Sequence, residues 1–343
     1  MATVAFGQTP DAAESSQAYL RAVHARDQAT VESICESWIE TGRNANDPGL
    51  RARGLARKAY AAAIFASMTP DERRLLFDEA LAIAPQGTNL GRAVALVLQG
   101  SHERRWSDDL KNGLSILEEG LLMARELEND ELLSEGYSNA SQTLSLLGRG
   151  HRSLDYAMRA LRYGEHLEDD LLIGNALFRL TYAAGYIGCD DGLADIVRKH
   201  RDKVSEQTWL NFISQQGEPG ELEEPLARTL EIFRDESKDA KYRVYIGIIG
   251  VHILMRLDRV AEAQQLLMEC RELLPGGDAS TELGIDYADV ALKCYAGQHE
   301  DAIKIGGETI ARLLDRGHLQ HAQITADLLS KAHLELGNTS NFR

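Results

Sequence analysis

Side chains able to do chemistry are scattered along this 343-residue chain rather than gathered as a reaction would need. His318 and His321 lie three apart, the spacing at which two imidazoles on one helical turn share a metal ion, but no third ligand follows at helical spacing. Asp108-Asp109, Asp169-Asp170 and Asp190-Asp191 are the candidate carboxylate pairs for acid–base work. Adjacent residues on a helix point about 100° apart. Each pair also falls at an expected helix start or connector, where acids complement the helix dipole, so all three are read as structural. Cys35, Cys189, Cys270 and Cys294 show neither a CxxC motif nor metal-ligand spacing. Cys270 and Cys294 fall on consecutive antiparallel helices, and their spacing suits a bridge in an exported protein or two buried thiols alike. No phosphate-binding loop, dinucleotide fingerprint, nucleophile elbow or HExxH occurs. No catalytic residue, cofactor or metal site is assigned, and the chain is expected not to be an enzyme.

The elements that would position any site recur at a regular interval along the chain. Helical runs end in turns at Gly148, Gly188, Asp258, Gly297 and Gly337. Five positions later a second run begins around Ser153, Leu193, Ala263, Ala302 and Phe342. The turns are 40, 70, 39 and 40 residues apart, so one interval carries about 30 extra residues. A period of about 40 residues marks a solenoid, in which each helical hairpin buries its apolar face against its neighbours. Only 7 prolines interrupt the chain, and no sustained stretch alternates apolar with polar as a half-exposed strand would. The expected class is all-α, a single solenoid over residues 11–343.

Individual segments refine that expectation. Thr69-Pro70-Asp71-Glu72 predicts a helix start, with Thr as N-cap, Pro in the first turn and acids beside it. Residues 201–238 break the rhythm and are read as an irregular inserted hairpin, because Trp209, Leu210, Phe212, Ile213, Leu226, Leu230, Ile232 and Phe233 need burial. After Gly337 only Asn338 to Arg343 remain, where earlier repeats open their second helix. Either the natural protein continues past Arg343 or the last helix is its own polar cap.

A net charge of −16 disfavours a nucleic-acid partner. The stretches Arg51 to Lys58 and Arg198 to Lys203 are read as solvated helix faces. No window is apolar enough for a membrane span. Residues 2–10 are uncharged, with Ala5-Phe6-Gly7 resembling a cleavage site. They are either the remnant of a trimmed signal peptide, which would make the protein periplasmic, or a frayed N-terminus of a cytoplasmic one.

Leu144-Ser145-Leu146-Leu147-Gly148, followed by Leu154 to Leu161, resembles the turn and second helix of the tetratricopeptide repeat (TPR). Gly297-Gln298-His299-Glu300-Asp301-Ala302-Ile303, Arg259 to Ala263 and Leu336-Gly337-Asn338 fit the same pattern. The resemblance covers about 130–343 well and 48–130 weakly. The period is longer than that of the standard family repeat, and the signature Trp and Pro are absent. On the family's offsets Asp286, Asp289 and Lys293 would be buried, which suggests that the helix over 281–296 is one turn out of step.

The resemblance implies a right-handed solenoid whose first helices line a concave surface and contact ligand. Carried over residue by residue, the contact positions are Glu135, Ser138, Asn139 and Gln142 in one repeat. In the next they are Asn175, Phe178, Arg179, Tyr182 and Tyr186. The aromatic and arginine side chains of the second set suit a clamp on an extended peptide or a small aromatic ligand; packing against the 201–238 hairpin is the competing role. Long degenerate repeats of this kind resemble the sensory regions of bacterial signalling proteins such as GGDEF diguanylate cyclases. That implies a sensor binding a peptide, protein or small ligand, relaying through curvature or homodimerisation to an output domain outside this chain. A stand-alone scaffold or co-chaperone is the alternative.

Overall fold

The computed structural model describes residues 10–65, 67–103, 109–187, 192–273, 279–315 and 319–337, and every α or β element among them is a helix. In order they are α1 (Pro10–His24), α2 (Gln28–Asn44), α3 (Pro48–Ile64), α4 (Pro70–Ile83), α5 (Leu90–His102) and α6 (Leu110–Glu126). There follow α7 (Asp130–Leu146), α8 (Gly150–His166), α9 (Asp170–Ile187), α10 (Leu193–Lys199), α11 (Glu206–Gln216) and α12 (Glu223–Arg234). The series ends with α13 (Ala240–Arg256), α14 (Val260–Leu273), α15 (Ala279–Tyr295), α16 (His299–Asp315) and α17 (Leu319–Glu335). A short 3-10 turn, Pro219–Glu221, separates α11 from α12. The chain forms two compact units, one of residues 1–143 and 155–176, the other of 144–154 and 177–343.

Helix ends explain the rhythm. Arg26, Asn46, Glu128, Gly148, Glu168, Asp258 and Gly297 all have positive φ, between 50° and 72°. The amide after each reaches back five residues to a helix carbonyl: Asp27 to Ala22, Asp47 to Gly42, Asn129 to Ala124, Arg149 to Leu144, Asp169 to Gly164, Arg259 to Leu254 and Gln298 to Lys293. These are Schellman closures, which satisfy the last helical carbonyls. Where the next residue is Asp27, Asp47, Asn129 or Asp169, its side chain accepts an amide of the following helix. Each such turn ends one helix and starts the next within three residues. Thr69 caps α4 with the reciprocal Glu72 contact, as its sequence predicts.

Packing follows the helical-hairpin pattern. In the first unit α3 touches α2, α4 and α5, and α5 packs on α6. Helix α3, enclosed on several sides, buries the small or apolar Ala52, Leu55, Ala56, Ala59, Ala61, Ala62 and Ala63, and two arginines, Arg53 and Arg57, among them. In the second unit α13 packs on α14 and α15, and α15 packs on α16 and α17. A first helix thus touches its own partner and the next first helix. The protein is an all-α array of TPR-like helical hairpins.

Two expectations need correction. Asp289 is buried, 6% exposed, at the position the family offsets give it, whereas Asp286 and Lys293 are only half-buried, so the burial of Asp289 is no reason to shift α15 by a turn. The burial is tolerated because Arg271 binds its carboxylate at 2.7 Å and Lys293 lies at 3.8 Å. Arg53 and Arg57 are also buried, at 5% and 2% exposure, and do not belong to a solvated face. Cys35, Cys270 and Cys294 are free thiols. A Cβ on Gly247 of α13 would meet the Cys270 sulfur, whereas the Cys294 sulfur lies 3.8 Å from the Leu328 carbonyl of α17; the two thiols face different neighbours. Among the described residues no helix is long and apolar enough to cross a membrane.

Candidate functional site

The carboxylates noted in the sequence work as caps. Asp109 accepts the Asn112 amide at the start of α6, and Asp169 accepts those of Leu171 and Leu172. Asp108, the Asp190-Asp191 pair, Cys189 and His318 lie outside the described residues, as does the His321 side chain.

In the first unit the first-helix face is closed by charge. Arg57 of α3 forms a two-pronged pair with Glu135 of α7, at 2.8 and 2.7 Å, and Glu131 lies 3.9 Å away. Helix α1 covers them: the Tyr19 hydroxyl donates to the Arg57 carbonyl at 3.1 Å, and Ser16 bonds Glu131. The Arg57 guanidinium sits 4.9 Å from the Tyr19 ring centre, and that of Arg53 4.6 Å from the Trp38 ring. Burial is the largest single influence on the Arg57 pKa and lowers it, but Glu135, Tyr19 and Glu131 together outweigh it and the group stands above the ordinary guanidinium value. Arg53 is pushed down to about 10 by burial, with Arg57 beside it adding to the effect. Asn139 is 7% exposed and presents little surface to a ligand, and Ser138 is buried as deeply. Gln142 is half-buried, its Oε1 enclosed without a hydrogen-bond partner, and Asn175 is exposed.

In the second unit aromatic and polar groups lie along α9, α11, α13 and α15. On α9, Phe178, Arg179 and Tyr182 are all half-buried. The Phe178 and Tyr182 ring centres are 6.4 Å apart, and the Arg179 guanidinium lies 4.9 Å from the Phe178 centre. The Tyr186 side chain lies outside the described ones. Tyr245 of α13 joins the group: burial raises its pKa, while a hydrogen bond with Gln207 of α11 and the Arg179 charge act the other way. Further along α13, the His252 ring centre is 6.0 Å from that of Tyr287 on α15.

Sequence reading missed Gln207, Tyr245, His252 and Tyr287, although the turn register contains most of the signal. Tyr245 stands at the same offset before Asp258 as Asn175 does before Gly188. His252 and Tyr182 likewise share an offset from their turns, and so do Tyr287, counted from Gly297, and Phe178. Gln207 belongs to the irregular stretch, where no turn supplies a register.

A buried imidazole, His102, and a half-buried one, His252, set a pH dependence. Burial pushes His252 down to about 4, and it does the same to His102, where Arg73 and Arg74 add to the effect. The His102 Nε2 accepts from the Arg73 Nε at 3.1 Å, a bond only the unprotonated nitrogen can make. Both rings are neutral in the fold, whereas free imidazole titrates near 6.5. Their contribution to stability is therefore full above pH 6.5 and is lost as pH falls toward 4. The melting temperature is expected to fall over that window, and less steeply in a His102→Gln, His252→Gln variant; equal slopes would refute the assignment.

No family model and no curated protein sequence matches the chain. Among solved structures it is similar to that of a Rap protein complexed with competence and sporulation factor. Identity is 12% and the TM-score 0.59, over 95% of this chain and 98% of that one. At this identity the likeness is one of fold.

Proposed function

We propose that the protein is a non-catalytic recognition module that binds a peptide or protein partner through the first helices of its second unit. The observation that carries this reading is the ladder of half-buried aromatic, amide and guanidinium groups: Phe178, Arg179, Tyr182, Gln207 and Tyr245. Aromatic and arginine side chains are the commonest anchors of protein recognition, because each contributes large contact area together with directional polar contacts. The likeness to a Rap protein solved with a bound factor supports the reading, since a helical array of this kind there holds another molecule. The finer role is that of a sensor in a bacterial signalling protein, relaying occupancy to an output domain encoded beyond Arg343; a stand-alone scaffold is the alternative. Reading the native gene past both ends separates the two. A basic, apolar leader ahead of Ala2 would also place the protein in the periplasm.

Selecting displayed random peptides on the immobilised protein tests the binding reading. Enriched peptides are expected to lose about 2 kcal/mol, some thirtyfold in Kd, when Phe178 and Tyr182 are both changed to alanine. The helical circular dichroism signal should be unchanged. Failure to enrich any peptide, or enrichment insensitive to both changes, would refute it.

A further inference from the structure

A depression of about 450 Å³ opens between α13, α15 and α17, within the size range of small-ligand sites. Met255, Ala291, Leu328 and Ala332 form an apolar floor, with the exposed Tyr295 ring among its walls. The polar groups are few. His299 lines the depression with its Nδ1 enclosed and without a hydrogen-bond partner. Lys331 and Glu335 complete the lining, one helical turn apart on α17, both exposed.

Opposite charges at this spacing commonly pair, but the favourable order puts the glutamate nearer the helix N-terminus. Here lysine comes first. Among the described residues neither side chain makes an ion pair, with each other or with a third group. An exposed cation and an exposed anion, one turn apart and not paired with each other, thus line the same depression as the apolar floor.

We propose that this depression binds a free α-amino acid with a large apolar side chain, such as leucine, methionine or phenylalanine. The carboxylate pairs with Lys331, the ammonium with Glu335, and the side chain lies on the Met255–Leu328–Ala332 floor. A fatty acid would leave Glu335 facing a second anion, and an apolar amine would set its charge against Lys331. A peptide terminus supplies one charge, and an internal peptide residue neither. Only a zwitterion with an apolar body satisfies floor and rim together. The inference does not depend on whether the aromatic ladder takes a partner.

Isothermal titration of L-phenylalanine, L-leucine and L-methionine into the full chain tests it. At least one is expected to bind saturably at one site per chain. Its deaminated and decarboxylated analogues should each bind about tenfold more weakly, the usual effect of losing one charged hydrogen bond. Lys331→Met and Glu335→Gln should each lower amino-acid affinity by about tenfold. Both side chains are exposed, so the two variants should melt as the parent does. The proposal is overturned if none of the three amino acids binds, if a one-charge analogue binds equally well, or if both variants bind unchanged. Peptides selected on the aromatic ladder should bind both variants as they bind the parent, so failure here and failure there are separate results.

Discussion

A Glu135→Ala variant is expected to lose about 3 kcal/mol of stability, the lower end of what removing one partner of a buried ion pair costs. Arg57 would keep its charge and its burial, with only the more distant Glu131 carboxylate left to answer it, 3.9 Å away. Calorimetry should show the first unit melting about 10 °C lower. The double variant Arg57→Met, Glu135→Leu separates pair from packing. Replacing both charges by apolar groups of similar size is commonly neutral or stabilising, so the double change should recover most of the loss. If it instead melts as low as the single variant, the shape of the cluster matters more than its charge.

The second large effect reverses a general rule. Glycine inside a helix is ordinarily about 1 kcal/mol worse than alanine, so Gly→Ala should stabilise. At Gly307 of α16 a Cβ would meet nothing within 4 Å, and Gly307→Ala is expected to gain roughly 0.5–1 kcal/mol. At Gly100 of α5 the same Cβ would stand 2.6 Å from the Gly113 carbonyl oxygen and 2.8 Å from the Leu117 amide nitrogen. Those are backbone atoms of α6 and cannot rotate away. Gly100→Ala is expected to lose about 2–3 kcal/mol, as overpacking of a tight interface does. Chemical denaturation of the two variants should move the midpoint in opposite directions; a shift of the same sign would mean that α5 and α6 slide apart cheaply.

Both effects come from places where local sequence carries little information. The helical hairpins were legible because glycine announces a left-handed turn, and Gly148 and Gly297 do so. The same turn at Arg26, Asn46, Glu128 and Glu168 has no such sign, so the pattern shows the rhythm of helix pairs and hides that of single helices. The acid or amide that follows each of those four was the available clue. Arg53 and Arg57 were misplaced for a related reason. Arginine is ordinarily a solvent residue, and its counter-ion here sits 78 positions away on α7, beyond any local pattern. Of the candidate contact residues, Phe178, Arg179 and Tyr182 do form a cluster, while Asn139 is buried. Exposure on a first helix depends on what lies across it, which the repeat pattern of that helix does not encode.

The long reach of the Arg57 cluster also bears on the order of synthesis. In most helical arrays each hairpin can settle on the one before it as the chain leaves the ribosome, because contacts run between neighbours. Here Ser16 waits 115 residues for Glu131, and Arg57 waits 78 for Glu135. Until α7 emerges, a guanidinium destined for the interior has no carboxylate to meet and must stay in water, holding α1 and α3 apart. This cluster therefore cannot close before α7 is made, and nascent fragments ending before α7 are expected to be the ones that a chaperone or protease meets unfinished.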